Sequence, residues 1–365
     1  MEFNTKKEEI LNTLQIVQNA ISTKNTLPIL SNLLIEALDN DIKVTATDLD
    51  LGISSTIPSK AKTMGSITIP AKKLIDIIKE LPENQPISVQ LKKNNTIIIN
   101  CGKVNFKIVG LPKEEFPNLP EFKNKESIKI KQKDLKEALS LTVFASSKDE
   151  TRYVLNGVLF VVEQDTITLV ATDGRRLAKA KAQLSETTKL EKHVIVPTKT
   201  ITEVLKMLKD DGETDIVFSE TQILFNLGKT KIISRLVEGE YPNYEQVIPK
   251  EISNKIKINR KNLLSAAKRA SIFTSQESLA VRVDIEKNKM TLSKNTPYIG
   301  EVKEELDVEY SGKNIALGFN PLYLIELLKT LDIADIELEV DDADKPGAIR
   351  VGETYVYVVL PMQLV

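Results

Sequence analysis

The chain has 365 residues, enough for two or three domains, and 41% of them are hydrophobic, an ordinary share for a folded globular protein. Lys+Arg 50 against Asp+Glu 51 gives a net charge of −1, which argues against a protein that holds nucleic acid by overall positive charge alone. No apolar run approaches the ~20 residues that span a bilayer, the N-terminus shows no signal-peptide core, and the single cysteine, Cys101, excludes an internal disulfide. We therefore expect a cytoplasmic protein.

Each third of the chain begins with a helix pattern, and the first covers about residues 6–21. All three patterns carry one stripe of mainly apolar residues at the i, i+3, i+4, i+7 spacing of an amphipathic helix, and their basic residues lie off this stripe. Such basic residues are typical of a solvated helix face. The stripes are Ile10, Thr13, Leu14 and Val17; Leu135, Ala138, Leu139 and Thr142; and Leu263, Ala266, Ala267 and Ala270.

Strand-like runs follow this helix in the first two thirds. They cover residues 33–37 and 42–46, and then 158–162 and 166–170. Short polar turns join the runs, which indicates antiparallel hairpins. An Ala-Thr-Asp triplet follows each second run, at 46–48 and 171–173, an interval of 125 residues.

A second helix pattern follows an extended run that ends in proline, at Pro70 and at Pro197, and a third copy follows Pro321. Aromatic-Pro-Asn then occurs at 116–118 and at 241–243, again 125 residues apart. Solenoid repeats usually have periods of about 20–50 residues, so each copy here is a domain. The second stripes are Leu74, Ile77, Ile78 and Leu81; Ile201, Val204, Leu205 and Leu208; and Leu324, Leu327, Leu328 and Leu331.

The repeat predicts three tandem similar domains, at residues 1–126, 127–253 and 254–365. Polar, proline-containing segments at 117–127 and 249–255 mark the boundaries. Each domain is expected to pack two helices on an antiparallel sheet, an α+β arrangement.

Residues with catalytic potential do not form a recognisable set. The single histidine, His193, excludes a site of paired histidines and leaves one candidate base, which we interpret as a strand-edge residue. Gly228-Lys229-Thr230 lacks the preceding glycine and the following helix of a phosphate-binding loop. Asp48 with Asp50, and the acidic run at 341–344, lack the further ligands of a metal site. We predict a scaffold with no cofactor, no metal and no enzymatic activity.

Residues 152–160 (RYVLNGVLF) and 170–178 (VATDGRRLA) closely resemble the bacterial sliding clamp, the beta subunit of DNA polymerase III. Further matching segments, from residues 25–30 to 359–362, follow in the family's order and spacing. The resemblance implies a ring-shaped, head-to-tail homodimer that encircles double-stranded DNA and tethers the polymerase.

In such clamps the helices line the hole, and a ring held by topology needs only weak, non-specific attraction to phosphates. The resemblance implies that lysines supply this attraction. The candidate DNA-binding residues are Lys24, Lys73, Lys148, Lys199 and Lys206.

The resemblance also implies an apolar pocket for short peptides of the polymerase catalytic subunit, the clamp loader, and repair and ligation proteins. Arg175 and Gln246 replace the histidine and arginine of some relatives, which leaves the peptide preference open. The matching positions are Leu155, Thr172, Gly174, Arg175, Arg176, Leu177, Pro242, Val247, Ile349, Val359, Leu360, Pro361 and Met362.

Ring closure implies an edge-to-edge joint between two strands of different subunits. Lys103 and Lys107 share one face of a strand that alternates polar and apolar residues. The resemblance implies that they pair with the acidic segment near 300–304, beside an apolar contact that contributes most of the stability. The expected interface residues are Ile78, Leu81, Lys103, Lys107, Ile272, Phe273, Glu301 and Glu304.

Two other functions remain open at this stage. The first is a non-enzymatic adaptor with the same fold and pocket that does not encircle DNA. The second, an enzyme, is disfavoured because no catalytic set of residues is present.

Overall fold

A computed structural model describes residues 1–21, 27–122 and 126–364. The described part contains six α-helices, and none of them is long and apolar enough to cross a membrane. The helices are α1 (Lys7–Val17), α2 (Ala71–Glu80), α3 (Gln132–Ser140), α4 (Thr198–Met207), α5 (Arg260–Ser271) and α6 (Pro321–Thr330).

The strands are short, and all the described pairings are antiparallel. They are β1 (Glu2–Lys6), β2 (Asn32–Ala37), β3 (Asp41–Thr47), β4 (Leu51–Pro58), β5 (Gly65–Pro70), β6 (Pro86–Leu91), β7 (Thr96–Cys101), β8 (Val104–Val109), β9 (Glu126–Lys131), β10 (Gly157–Glu163), β11 (Thr166–Thr172), β12 (Arg176–Gln183), β13 (Lys192–Pro197), β14 (Glu213–Phe218), β15 (Gln222–Leu227), β16 (Thr230–Arg235), β17 (Asn254–Asn259), β18 (Val281–Glu286), β19 (Lys289–Thr296), β20 (Gly300–Asp307), β21 (Ile315–Phe319), β22 (Asp335–Val340), β23 (Gly347–Val351) and β24 (Tyr355–Val359).

The chain folds into two compact units. Unit 1 consists of Met1–Ile130 and Lys206–Leu236, and unit 2 consists of Lys131–Leu205 and Val237–Val365. Each unit has one eight-stranded and one four-stranded sheet. In unit 1 the orders are β5-β2-β3-β4-β16-β15-β14-β9 and β1-β6-β7-β8; in unit 2 they are β13-β10-β11-β12-β24-β23-β22-β17 and β20-β19-β18-β21.

Each eight-stranded sheet joins strands of two successive sequence repeats. The joints are β4 with β16, where Ile53 faces Ile232, and β12 with β24, where Leu177 faces Val358. The repeat predicts the strands, but it does not predict that sheets continue across the repeats. The joints form because an edge strand satisfies its unpaired N–H and C=O groups by pairing with a second edge.

The first helices bury the stripes that the sequence predicts. In α1 the buried residues are Ile10, Thr13, Leu14 and Val17, and the helix ends at Val17, earlier than the predicted residue 21, before a short 3-10 turn. The α5 stripe is confirmed in full. In α2 the buried face is rotated slightly, because Ala71 and Ile75 are buried while Ile77 is only half-buried.

Candidate functional site

A tight turn between β11 and β12 in unit 2 is held by the side chains of two residues. Thr172 Oγ1 donates to the carbonyl of Arg176 at 2.6 Å and accepts from Gly174 N–H at 3.0 Å. Asp173 Oδ1 accepts from the N–H groups of Arg175 and Arg176 at 2.9 and 3.0 Å. Gly174 has a φ of +85°, a conformation that favours glycine.

Arg176 is enclosed on one face of the sheet. Its guanidinium donates to Asp173 at 3.1 Å and to the carbonyl of Phe144 at 2.6 Å, and it forms an ion pair with Glu326. The same group lies 4.5 Å from the ring centroid of Tyr323, within cation–π range. Burial lowers the pKa of Arg176, but Tyr357 and the two carboxylates more than offset this, so the pKa is raised overall. Arg176 therefore connects the turn, through Asp173, to Phe144 and Glu326.

Leu177 points to the other face, because successive residues of a strand alternate. It packs with Val358 and Val170 in a buried apolar cluster. The segment after β16 covers this cluster with Tyr241 and Tyr244. Burial raises the pKa of the Tyr241 phenol, whose hydroxyl donates to the carbonyl of Val170 at 3.4 Å.

Other predicted pocket residues are more accessible, and the backbone N–H of Met362 donates to the carbonyl of Gly318 on β21 at 2.8 Å. Val247 is 48% exposed and Leu360 is 38% exposed, while Met362 is half-buried. Leu360 N–H donates to the carbonyl of Arg175 at 2.9 Å, which ties the C-terminal segment to the turn. Gly174, Arg175 and Pro242 are exposed, and Pro361 is half-buried.

Three predicted pocket residues, Arg176, Ile349 and Val359, lie on the face of the sheet opposite to Leu177. Ile349 and Val359 are both fully buried, and Ile349 pairs with Tyr357, which shares the face of Val359. Because strand residues alternate, these side chains cannot line the same surface as Leu177. Val356 and Val358, which the sequence pattern does not single out, are β24 residues on the Leu177 face, and only the β12–β24 register identifies them.

Leu155 and Thr172 are also buried, at 8% and 9% exposure. Leu155 ends a 3-10 helix, where the neighbouring Val154 packs against the apolar cluster. Thr172 pairs with Leu177 across the strands and therefore belongs to the same face.

Four of the five predicted DNA-binding lysines are exposed, and Lys24 lies outside the described residues. Lys73 stands on α2, away from its buried face. Lys199 and Lys206 are seven residues apart on α4 and therefore share one helix face. Lys148 is exposed in the loop after α3.

The predicted interface residues differ in accessibility. Ile78 and Leu81 are 0% and 2% exposed in the single chain, so their side chains pack inside unit 1. Their helical spacing predicted an apolar stripe correctly, but that stripe packs inside the unit. Ile272 is 73% exposed, and Phe273 lies against Gly300.

The two charged segments lie on edge strands. Lys107 is an exposed residue of β8, the last strand of its sheet, and Lys103 immediately precedes this strand. Glu301 is exposed on β20, the end strand of the other four-stranded sheet. Glu304 is already engaged within unit 2 by Arg269, at 2.7 and 2.5 Å.

The residues considered for catalysis have structural roles. Asp48 Oδ1 accepts from two backbone N–H groups, at 2.7 and 3.1 Å, as a turn residue does. Lys229 precedes β16, and the strand expected after it is confirmed. Within the described part of the chain, no three His, Cys, Asp or Glu side chains are grouped as metal ligands would be.

Family models for the DNA polymerase III beta subunit match almost the whole chain. The N-terminal domain model matches residues 1–120, the central domain model 129–243 and the C-terminal domain model 245–363. The beta sliding clamp of Vibrio cholerae is 32% identical, with 100% of each chain covered.

Solved structures agree with this match. The crystal structure of the DNA polymerase sliding clamp from Bacillus subtilis has a TM-score of 0.95 at 33% identity and covers 100% of both chains. A sliding clamp from Bartonella birtlesii bound to griselimycin has a TM-score of 0.94 at 33% identity, again with 100% of both chains covered. The chain therefore belongs to the DNA polymerase III beta subunit family and functions as a DNA sliding clamp.

Proposed function

We propose that two copies of the chain join head to tail through β8 of one and β20 of the other, and that the resulting ring encircles double-stranded DNA. The observation that carries this proposal is the pair of oppositely charged edge strands on a chain matched end to end by the family. An exposed edge with unpaired backbone groups is also a liability in a soluble protein unless it is covered.

An antiparallel register between the two edges matches their side chains well. If Lys107 stands opposite Glu301, then Lys103 stands opposite Glu305 and Val109 opposite Ile299. All six of these residues are exposed in the single chain. Phe106 and Val302, both half-buried, then meet on the other face. Exposed ion pairs contribute only about 0–1 kcal/mol each, so the apolar residues supply most of the stability and the charges select the register.

The partner-binding surface in this proposal is the exposed rim of the Leu177 cluster. Val247, Leu360 and Met362 offer accessible apolar side chains, and Gly174 leaves room for a peptide backbone. Peptides of the polymerase catalytic subunit, the clamp loader, and repair and ligation proteins would insert an apolar anchor here. Griselimycin, bound to the Bartonella birtlesii clamp, is the natural probe for this surface.

Lys73, Lys148, Lys199 and Lys206 are proposed to attract the phosphates of the enclosed duplex without reading its sequence. Near-neutral net charge suits this task, because tight phosphate contacts would oppose sliding. The protein then needs no catalytic group of its own. The cytoplasm is the compartment that fits a replication clamp with one buried, unoxidised cysteine.

Retention on circular DNA tests the proposal. A ring loaded by a clamp loader onto a nicked circular plasmid should co-elute with it in gel filtration and should leave once the plasmid is cut. Native mass should correspond to two copies of the chain. A monomer at every concentration, or equal retention on circular and linear DNA, would refute encirclement and favour an adaptor that does not enclose DNA.

A further inference from the structure

The four-stranded sheet of unit 2 repeats the strand pairing of the sheet that carries the proposed peptide surface. In each sheet one residue pairs with a neighbour on both sides, and the outer neighbour forms a bridge to a later segment. This residue is Leu159 in β10 and Arg282 in β18. The bridges join Ile195 with Val237 and Gly318 with Met362. Arg282 therefore occupies in the third repeat the position that Leu159 occupies in the second.

The corresponding face of the sheet is polar in the third repeat. The registers match apolar residues of the second repeat with polar or charged residues of the third. The matched positions are Leu159 and Arg282, Val170 and Ser293, and Leu177 and Glu301. Tyr241 and Tyr244 cover this face in the second repeat. In the third repeat Leu364 lies over it, because a Cβ atom at Gly318 would be 3.0 Å from Leu364 Cδ2.

A cavity of about 530 Å³ opens beside Leu364 on this face. Its volume lies within the range of about 300–1,000 Å³ that is usual for ligand sites. Met362 is the one residue of the predicted peptide pocket that also lines it. Its charged and apolar lining residues include Arg282, Lys294, Glu301, Lys303, Leu279 and Leu364.

Lys294 is a buried cation at the edge of this cavity. It precedes Asn295 as the fully buried Ala171 precedes Thr172 in the second repeat, and it is only 8% exposed. Its ammonium donates to Ser278 Oγ at 2.5 Å and to the carbonyl of Ala280 at 2.9 Å. Both acceptors are neutral. Burial lowers the pKa of Lys294, and no carboxylate of the described residues offsets this effect.

The buried ammonium has the capacity to bind one further group. An ammonium has three N–H donors, of which Ser278 and Ala280 use two. A buried charge is costly unless it is paired, so an anion in the cavity would relieve this cost. The third N–H of Lys294 is therefore a donor for a negatively charged ligand.

The other charges of the cavity favour a ligand with a single negative charge. Arg282 is already held by both carboxylate oxygens of Asp284, at 2.8 and 3.0 Å. Glu277 and Glu301 are exposed, so water and salt screen them, and they oppose the approach of a dianion more than that of a monoanion. The single buried cation, Lys294, matches a single carboxylate.

We propose that this cavity, the Lys294 site, binds an organic monocarboxylate that carries a short apolar group. The carboxylate accepts a hydrogen bond from Lys294 Nζ, and the apolar group lies against Leu279 and Leu364. A free acid and a carboxylate of a peptide share this chemistry. The inference goes beyond the proposed function, because it requires neither the ring nor the surface at Leu177.

Calorimetry on the full chain tests the site with N-acetyl-leucine, a monocarboxylate with one apolar side chain, and with its neutral amide. Lys294→Met removes the cation and keeps a side chain of similar length, so the variant should unfold at no lower urea concentration. Lys287→Met is the control, because Lys287 is exposed in the turn between β18 and β19. Leu364→Asp, at a residue that is 40% exposed, places a competing carboxylate beside the site without altering the core.

Lys294→Met and Leu364→Asp should each weaken the binding of N-acetyl-leucine by at least about tenfold, because the charge-assisted hydrogen bond is lost or already occupied. Lys287→Met should leave the affinity unchanged, and the neutral amide should not bind. No binding of N-acetyl-leucine to the unchanged chain, equal binding of the amide, or unchanged affinity in Lys294→Met would overturn the inference.

Two further probes identify the source of the carboxylate. If acetyl-Ala-Leu-Asp-Ala-amide, which has only a side-chain carboxylate, binds more tightly than N-acetyl-leucine, the ligand is an acidic residue within a peptide. Weaker binding of this peptide assigns the site to a free acid or to the end of a chain, and both results support a carboxylate site. Inorganic phosphate that displaces N-acetyl-leucine at a lower concentration than acetate does would contradict the choice of a monocarboxylate.

Discussion

Replacing Arg176 with methionine should destabilise unit 2, because it removes the cation around which the turn is built. The guanidinium is 4% exposed and makes charge-assisted hydrogen bonds with Asp173 and Glu326 and a cation–π contact with Tyr323. Each hydrogen bond to a charged group contributes about 1.5–3 kcal/mol, and the ring contact contributes about 1 kcal/mol. Glu326 is 35% exposed and can regain water, so the expected net loss is about 3 kcal/mol.

Urea unfolding, monitored by circular dichroism, measures this loss of stability. Amide hydrogen exchange at positions 175 and 176 reports opening of the turn. Arg235→Met is the control, because Arg235 is 64% exposed and 3.9 Å from Asp50, and its loss should cost less than about 0.5 kcal/mol. If the two variants unfold alike, the enclosed arginine does not hold the turn and the reasoning fails.

Other substitutions test the surfaces and the acid stability. Val247→Asp should lower griselimycin affinity at least tenfold by calorimetry with unchanged unfolding, because the side chain is 48% exposed, and equal affinity would remove it from the pocket. Lys107→Glu should weaken the dimer in sedimentation, more at low than at high salt, and Lys107→Glu with Glu301→Lys should restore it. Failure of this rescue would contradict the antiparallel register while leaving the dimer itself intact. The hydrogen bond from Arg269 lowers the pKa of Glu304 below its ordinary 4.5, so its contribution to stability is present above that pH and is lost as the pH falls through the lowered value. Glu304→Gln should therefore lose less stability on acidification, and superimposable acid-unfolding curves would count against the pair.

Helical periodicity was the most reliable guide to the fold. The stripe from Ile10 to Val17 and the stripe from Leu263 to Ala270 are buried as predicted, because an amphipathic helix has one way to bury its apolar side. The joints between repeats could not be found in this way. The pairing of two strand edges depends on residues far apart in the sequence, such as Ile53 and Ile232. No local sequence pattern encodes this pairing.

The exposure of residues in the predicted surfaces could not be derived from the sequence, because the sequence does not specify which way an apolar side chain points. Ile78 lies on the α2 stripe and Ile272 directly follows α5, and although both are isoleucines, one is fully buried and the other is 73% exposed. Val358 and Val359 are adjacent and equally apolar, and only their register with β12 decides which one reaches the Leu177 face. The sequence leaves open both whether an apolar residue at a helix is buried and which face a strand residue points to. The proposed interface and pocket residues therefore differ in exposure.

The joints between the repeats also affect synthesis on the ribosome. Ser55 pairs with Thr230, and Leu177 pairs with Val358, so β4 and β12 are made long before the strands that complete their sheets. Until those strands emerge, the nascent chain carries open strand edges that can pair with other chains. Truncations that end after residue 126 or after residue 253 should thus expose β4 or β12 permanently and aggregate, although each ends at a boundary of the sequence repeat.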